Sequence, residues 1–240
     1  MSRRFMKKSN QTPSSTPALS RRGLLVRASA LTLVGCLVAT QSGCLGLYAN
    51  LMHAVGADKV PAGYEGLEES TVAIVTMTNS SHYSDDTAAR LLSRMVGDIL
   101  IKEIKNKKKF SLVREDKIEQ WRDTHGWESM DYQAMGRDVK ADKVVSIELT
   151  DLTLRQGKTL FRGNANATIA VVDVASGKIV YRRSIDEFAF PVNAGQHTSE
   201  TTEARFRKLY LSMLAKQIAR SFHPWDLNED FALDGTIASQ

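Results

Sequence analysis

The chain has very little cysteine. Only two of its 240 residues are Cys, at positions 36 and 44, and none follows Cys44. Beyond residue 44 there is therefore no thiol to form a disulfide, bind zinc or act as a nucleophile. That part of the chain must gain its stability from packing, and it is long enough for one domain with a sizeable core and some trailing segments.

Acidic residues are absent from the first 44 positions. That segment holds seven of the 32 basic residues, which leaves 25 against 27 acidic residues in the remainder. The formal charge of +5 therefore belongs to the first segment, and the rest of the chain is slightly acidic. A nucleic-acid-binding domain normally keeps a basic excess on its folded part, so nucleic acid is not expected as a partner.

No apolar run reaches the roughly 18–20 residues that a membrane-spanning helix needs. The run Ala28–Ala39 is preceded by Arg21 and Arg22 and is followed by small residues. A positive region, a short apolar region and small residues before a cleavage site predict a secretory signal peptide over residues 1–44. The two arginines, with a pair of leucines soon after them, resemble a twin-arginine export signal.

Cys44 is the expected lipid-attachment site. It follows Ser42-Gly43, which resembles the lipobox of bacterial lipoproteins, whose cysteine receives acyl chains such as palmitate as the signal is removed. Cys36 competes for this role, because Leu33 fits the third position before a lipobox cysteine well. Cleavage there would leave only residues 28–35 as the apolar region, at the short end of the expected 7–15 or so, so Cys44 is preferred. In a third interpretation neither cysteine is modified.

Four segments are expected along the chain. They are a signal peptide at 1–44, a membrane-proximal helix and linker at 45–69, an α/β domain at 70–224, and an acidic tail at 225–240 in which Trp225 and Phe231 can fold back onto the domain. Residue 45 is Leu rather than the aspartate that resembles an inner-membrane retention signal. We therefore expect a lipid anchor in the outer membrane, facing the periplasm.

The apolar, β-branched run Thr71–Thr78 predicts a buried central strand. Periodicity then predicts a helix from about Asp85 with Ser84 as N-cap, a strand at Phe110–Val113, and helices over Arg114–His125 and Met130–Val139. A strand follows over Lys143–Leu154, with a bulge near Asp151. Turn signals then predict a hairpin of Ala165–Val171 with Ile179–Ile185, and the last predicted element is a helix through Phe206–Phe222. The order β-α-β-α-(α)-β-β-β-α indicates an α/β sandwich with a mixed sheet in a single domain.

This order of elements resembles a group of bacterial envelope lipoproteins. The group includes the curli-secretion channel subunit, the penicillin-binding-protein activators and the N-terminal domain of the translocation protein TolB. Similar segments are 110–118, 136–145 and 171–180, within a resemblance that covers residues 70–222. It implies binding to other envelope proteins without catalytic residues. The long membrane hairpins of curli-type subunits have no counterpart in the short loops here, so a channel is not expected.

Motifs of catalysis and metal binding are missing. None of the five histidines lies in a His-Glu-x-x-His motif, no Gly-rich phosphate loop follows the first strand, and there is no Gly-x-Ser-x-Gly elbow. His82 with Asp85 and Asp86 lies in the loop after that strand, where α/β folds often bind ligands. A small-ligand-binding or hydrolytic domain using the loop Asn79–Asp86 is therefore the alternative function, although a solvated helix N-terminus explains the cluster more simply. We expect no catalytic residue, no metal and no cofactor.

Two surface features remain as candidate contacts. Trp121, Trp127 and Tyr132 form an aromatic set of the kind that anchors protein interfaces, although such a set also suits a small core cluster. A lysine run could attract anionic lipid or an acidic partner, or could be a solvated helix end; its members are Lys102, Lys105, Lys107, Lys108 and Lys109. The sequence thus predicts a membrane-anchored, non-enzymatic lipoprotein that binds another envelope protein in an adaptor or assembly role. It leaves homo-oligomerisation open.

Overall fold

The first long strand sends alternate side chains into two different cores. Val72 and Ile74 enter one core, whereas Ala73 and Val75 enter the other. Successive side chains of a strand point to opposite faces, so a strand that is apolar on both faces requires cover on both. Helices supply that cover on each side of the sheet.

The structure is a computed structural model that describes residues 59–79, 83–104, 109–126, 130–193 and 195–226. The strands are β1 Lys59–Val60, β2 Thr71–Thr78, β3 Ser111–Leu112, β4 Lys143–Gln156, β5 Leu160–Asp173, β6 Ile179–Phe190, β7 Gln196–His197 and β8 Trp225–Asp226. The helices are α1 Tyr83–Ile104, α2 Glu115–His125, α3 Tyr132–Asp138 and α4 Glu203–Ala219. The signal segment, with Arg21, Arg22, Cys36 and Cys44, lies outside the described residues. No helix in the described ranges is long and apolar enough to cross a bilayer.

The large sheet is mixed, with the order β3-β2-β4-β5-β6. Strand β2 is parallel to both β3 and β4, while β4, β5 and β6 follow as an antiparallel meander. Strand β7 pairs with the beginning of β5, beyond the end of β6. The predicted α/β class, mixed sheet and single domain are confirmed.

Two helical layers enclose this sheet. On one face α1 and α4 bury a large core with Leu92, Tyr210 and Leu214 at zero exposure. On the other face α2 and α3 cover a smaller core around Ile118 and Met135. Burying one such aliphatic side chain contributes roughly 1.5–3 kcal/mol relative to leaving it in water, so the α1–α4 side holds most of the stability.

Most local boundaries lie within a few residues of those predicted, and the larger differences are in β5 and β6. The bulge near Asp151 is confirmed, because this residue has φ 56° and the β4–β5 register shifts between Thr150 and Thr153. Helix α1 begins at Tyr83, so Ser84 lies in its first turn and the predicted N-cap is wrong; residue type alone does not fix a helix boundary. Strands β5 and β6 are longer than predicted. The predicted β6 stops at Ile185 because a bulge at Glu187, with φ 50°, interrupts the alternation of its side chains.

A second, two-stranded sheet joins the two ends of the described domain. Lys59 pairs with Asp226 and Val60 with Trp225 in antiparallel fashion. The guanidinium carbon of Arg220 lies 4.1 Å from the centre of the Trp225 ring, so Trp225 folds back onto the domain as expected. Phe231 lies outside the described residues.

Candidate interaction groove

A groove of about 270 Å³ lies between α1 and α2, above the short strand β3. It exists because the sheet is incomplete at this edge. Strand β3 has only two residues, whereas α1 has 22 and α2 has 11. The two helices therefore flank an edge that is too short to fill the space between them.

The floor of the groove is apolar. It is formed by Ile74, Leu112 and Ile118, and Ile101 extends it with a side chain that is 38% exposed. Gly97 lets α1 approach β3 closely, because a Cβ atom at this position would lie 3.0 Å from Cδ1 of Leu112. The two elements are therefore in close contact at Gly97, and the recess opens beside this contact.

Ion pairs form the rim and connect the two helices. The Arg94 guanidinium donates from Nε at 3.1 Å and from Nη2 at 2.8 Å to Oε2 of Glu115. This hydrogen bond and the Glu115 charge raise the pKa of Arg94 above its ordinary value. One turn earlier, Nη1 of Arg90 lies 3.5 Å from Oε1 of Glu119. The side chain of Arg94 is therefore held in place before any partner arrives.

One oxygen of Glu115 is a buried acceptor for which the described residues supply no donor. Its Oε1 atom has no hydrogen-bond partner among them, although Oε2 accepts both bonds from Arg94. Glu115 borders both the groove and an adjoining space of about 20 Å³ that Thr76 and Ser93 also line. A buried acceptor left unsatisfied costs roughly 1–3 kcal/mol, so an N–H or O–H donor from a bound group would be stabilised there.

The loop after β2 is only partly described. Residues 80–82, including His82, and the side chains of residues 83–85 lie outside the description. Beside the loop, Arg122 is 6% exposed, and its Nη2 atom lies 3.7 Å from Sδ of Met77. Burial lowers the pKa of Arg122, and the charge of Asp86 acts in the opposite direction. Within the described ranges, no group of three or more His, Cys, Asp or Glu residues could hold a metal ion.

The predicted aromatic surface is only partly where it was expected. Trp121 is 7% exposed in the smaller core, stacks on His125 at 4.2 Å, and donates from Nε1 to Oδ2 of Asp138 at 2.7 Å. For Trp121 the interpretation as part of a small core cluster is therefore correct and the exposed contact is not, because α3 covers this face of α2. Tyr132 is half-buried against the same core, and burial raises the pKa of its hydroxyl. Trp127 lies outside the described residues.

Of the lysine run, the description includes the exposed residues Lys102 and Lys109, while positions 105, 107 and 108 lie outside it. Sequence reasoning missed the groove itself. Its parts come from β2, α1, β3 and α2, and none of them has a motif. Two features of the sequence could have indicated the groove. Gly97 lies within the apolar face of helix α1, and the apolar residue Ile101 lies outside that face.

No protein-family model matches this sequence, and no curated protein matches it. Solved structures do show similarity. The PelC dodecamer from Paraburkholderia phytofirmans has 11% identity and a TM-score of 0.41, covering 68% of this chain and 95% of that one. Lipoprotein GNA1162 from Neisseria meningitidis has 12% identity and a TM-score of 0.39, covering 63% and 99%. E. coli LpoB has 15% identity and a TM-score of 0.37, covering 56% and 61%.

The group of envelope lipoproteins named from the sequence is present among these similar structures, in LpoB and in lipoprotein GNA1162. At such identities and TM-scores the likeness concerns the arrangement of helices and strands. It says nothing about the activity or the partners of this chain.

Proposed function

We propose that the chain is a membrane-anchored, non-enzymatic lipoprotein of the bacterial envelope, and that it binds another envelope protein through the groove between α1 and α2. The observation that carries this proposal is an open apolar recess whose rim is already ordered by the Arg94–Glu115 pair. The predicted signal peptide and Cys44 support an envelope location. The groove supports a binding role.

The anchor would keep the groove near the membrane. From Cys44 to Lys59 the chain can span at most roughly 50 Å, since each residue adds no more than about 3.5 Å. The partner is therefore a protein at or close to the same membrane. An adaptor or assembly role follows if that partner belongs to a larger envelope complex.

The groove suits an apolar side chain that lies next to a hydrogen-bond donor. The apolar group would pack on Ile74, Leu112 and Ile101, and burying it contributes roughly 1.5–3 kcal/mol. The donor, a backbone N–H or a side-chain amide, would reach Oε1 of Glu115, the acceptor for which the described residues supply no donor. Because the rim side chains are already held, binding would lose less conformational entropy.

A photocrosslinking residue at position 101 of the full-length, lipidated protein tests this proposal in its native membrane. We expect a discrete adduct with one envelope protein. The matched position is Lys208, an exposed residue on α4, which should give no such adduct. Equal adducts at both positions, or none at position 101, would contradict the proposal.

A substitution provides the second test. Ile101→Glu places a charge on the groove floor, and we expect capture of the crosslinked protein to fall on the order of tenfold, because the apolar contact is lost. Since Ile101 is already 38% exposed, the melting temperature should change little. Lys208→Glu serves as the control for altered surface charge. Unchanged capture by the Ile101 variant would rule out the groove as the contact.

The alternative function is a ligand-binding or hydrolytic site at Asn79–Asp86. One observation favours it: Arg122 is a buried cation, and it lies near enough to Asp86 for that charge to act on its pKa. An anionic ligand there should raise the melting temperature. Inorganic phosphate is a suitable first probe, with Asn79→Ala as the variant that should reduce the shift. Absence of any shift would count against this alternative.

A further inference from the structure

Strand β6 forms one edge of the large sheet. Its 12 residues pair with β5 on one side, and no other strand in the described part of the chain pairs with its outer side. An edge strand presents backbone N–H and C=O groups that can pair with a further strand. The outer side of β6 is therefore the place where this sheet can be extended.

Apolar side chains are exposed at both ends of this edge. Ile179 and Val180, at the start of β6, are 51% and 45% exposed, and Val192, just past its end, is 53% exposed. Single exposed apolar residues are normal on protein surfaces. In an antiparallel pair centred on Ser184, Ile179 would lie opposite Ala189 and Val180 opposite Phe188, so these exposed side chains would be covered by the end of the other strand.

The charges between these ends are also arranged in opposite halves. Arg182 is exposed in the first half of β6, and Asp186 and Glu187 are exposed in the second half. Residues 182, 184 and 186 share a face because side chains alternate along a strand, and Asp186 is the last of them before the bulge at Glu187 shifts the alternation. The neighbouring Arg183 is engaged within the domain, since its Nη1 atom donates to Oγ of Ser221 at 3.1 Å.

An antiparallel arrangement centred on Ser184 makes this edge complementary to itself. It places Arg182 of each copy directly opposite Asp186 of the other, and the two-fold axis produces this pair twice. Opposite charges facing each other across strands are favourable, whereas like charges are destabilising. An in-register parallel pairing would put Arg182 against Arg182 and Asp186 against Asp186. The edge charges therefore favour one orientation and oppose the other.

We propose that a second copy of this chain pairs with β6 along its outer edge, antiparallel and about a two-fold axis at Ser184, so that the two large sheets become continuous. The self-complementary order of the charges identifies the occupant as an identical chain. Such a two-fold contact closes on itself and produces a dimer. It uses a surface different from the groove between α1 and α2.

The first experiment measures the mass of the full-length protein in detergent by light scattering over a range of concentrations. We expect a protein mass equal to two chains. Arg182→Asp, and separately Asp186→Arg, should each raise the dissociation constant by roughly tenfold or more, because two facing pairs become repulsive. The double variant with both changes should return to within about threefold of the original value, since the charges are exchanged and not lost.

Lys208→Asp is the control for a cation reversed elsewhere on the surface, and it should leave the dimer unchanged. Ile101→Glu should also leave the dimer unchanged, which separates this contact from the proposed groove. A monomer at every concentration would overturn the proposal. So would any oligomer whose mass neither single reversal alters, because its contact would then lie elsewhere.

Ser184→Cys gives an independent measurement. Opposite residues of an antiparallel pair have Cα atoms about 4.5–5.5 Å apart, a separation that a disulfide can span. Mild oxidation should therefore convert this variant into a covalent dimer. The unsubstituted chain, whose cysteines are Cys36 and Cys44, is oxidised in parallel. An equal yield of covalent dimer from both chains would contradict the proposed axis.

Discussion

Gly163 lies directly against the ring of Tyr210, so closely that a Cβ atom at residue 163 would overlap Cδ2 and Cε2 of the ring. Tyr210 has zero exposure, and its hydroxyl donates to the carbonyl oxygen of Phe188 at 2.9 Å. A residue without a side chain in β5 thus allows an aromatic residue of α4 to reach the backbone of β6. This contact joins three elements of the larger core.

Gly163→Ala should therefore destabilise the domain strongly. Overpacking of a buried contact typically costs about 1–3 kcal/mol, and we expect the free energy of unfolding to fall by at least the upper part of that range. Urea unfolding measures it. Adding Tyr210→Leu to Gly163→Ala removes the ring that the new methyl group meets, so the two effects should be less than additive. Strict additivity would show that the ring is not the obstacle.

Trp121→Ala should also be costly, because Trp121 is buried and its indole N–H is bonded to Asp138. Truncation of a buried Trp costs roughly 3–5 kcal/mol.

The effect of Trp127→Ala stays a prediction from the sequence. We expect a nearly unchanged melting temperature and weaker capture of the partner. Thermal melts and pull-downs of the two variants, measured together, separate a core residue from a contact residue. A large stability loss at Trp127 would exclude it as a contact.

The Asp173 carboxylate should make stability depend on pH in the acid range. The Ser176 hydroxyl and backbone N–H and the Lys143 ammonium all donate to it, and together they lower its pKa to about 2. A pKa lowered by folding means that the ionised group stabilises the native state above its ordinary pKa of about 3.9. That contribution is lost as the pH falls through the folded value of about 2.

Asp173→Asn should accordingly lower the free energy of unfolding at neutral pH, and its deficit should shrink steadily as the pH falls below about 4. Urea unfolding at a series of pH values measures this difference. Asp123→Asn, at an exposed position on α2, is the matched control and should show little deficit at any pH. A constant deficit for the Asp173 variant would mean that its charge is not the cause.

Cys44→Ala should release the protein from the membrane fraction. Each buried CH₂ of an acyl chain contributes about 0.8 kcal/mol, and stable anchoring needs more than one chain. Fractionation followed by immunoblotting gives the result, and Cys36→Ala is the matched variant that should stay membrane-bound. The opposite pattern would assign the lipid to Cys36. Membrane retention of both variants would speak against either anchor.

Changing Arg21 and Arg22 together to Lys should block export if the pair is a twin-arginine signal. The positive charge is kept, so a pathway that needs only charge should be unaffected. Accumulation of uncleaved protein in the cytoplasm is the expected result. Normal processing of the double variant would instead indicate the general secretory route.

Periodicity predicted the elements whose burial pattern is regular, and it was less successful where the backbone departs from regularity. Thr71–Thr78 was correct because four of its five buried positions are apolar, whereas β6 was cut short at Ile185 because the bulge at Glu187 shifts the alternation. Trp121 could not be placed from its own helix, since its exposure depends on whether α3 covers it. Local sequence patterns could not predict the groove, because it results from the difference in length between β3 and the two helices beside it.

The small β1–β8 sheet has a mechanical consequence. A pull on the chain ahead of Lys59 acts first on a ladder of only two residue pairs, and such a ladder opens one pair at a time. The next resistance is at Tyr64, whose backbone N–H is bonded to the carbonyl oxygen of Ser221 at 2.9 Å. Fully extended, the released chain between these points spans at most roughly 17 Å. Tension would therefore be taken up by extension of this segment before it reached the cores on either side of the large sheet.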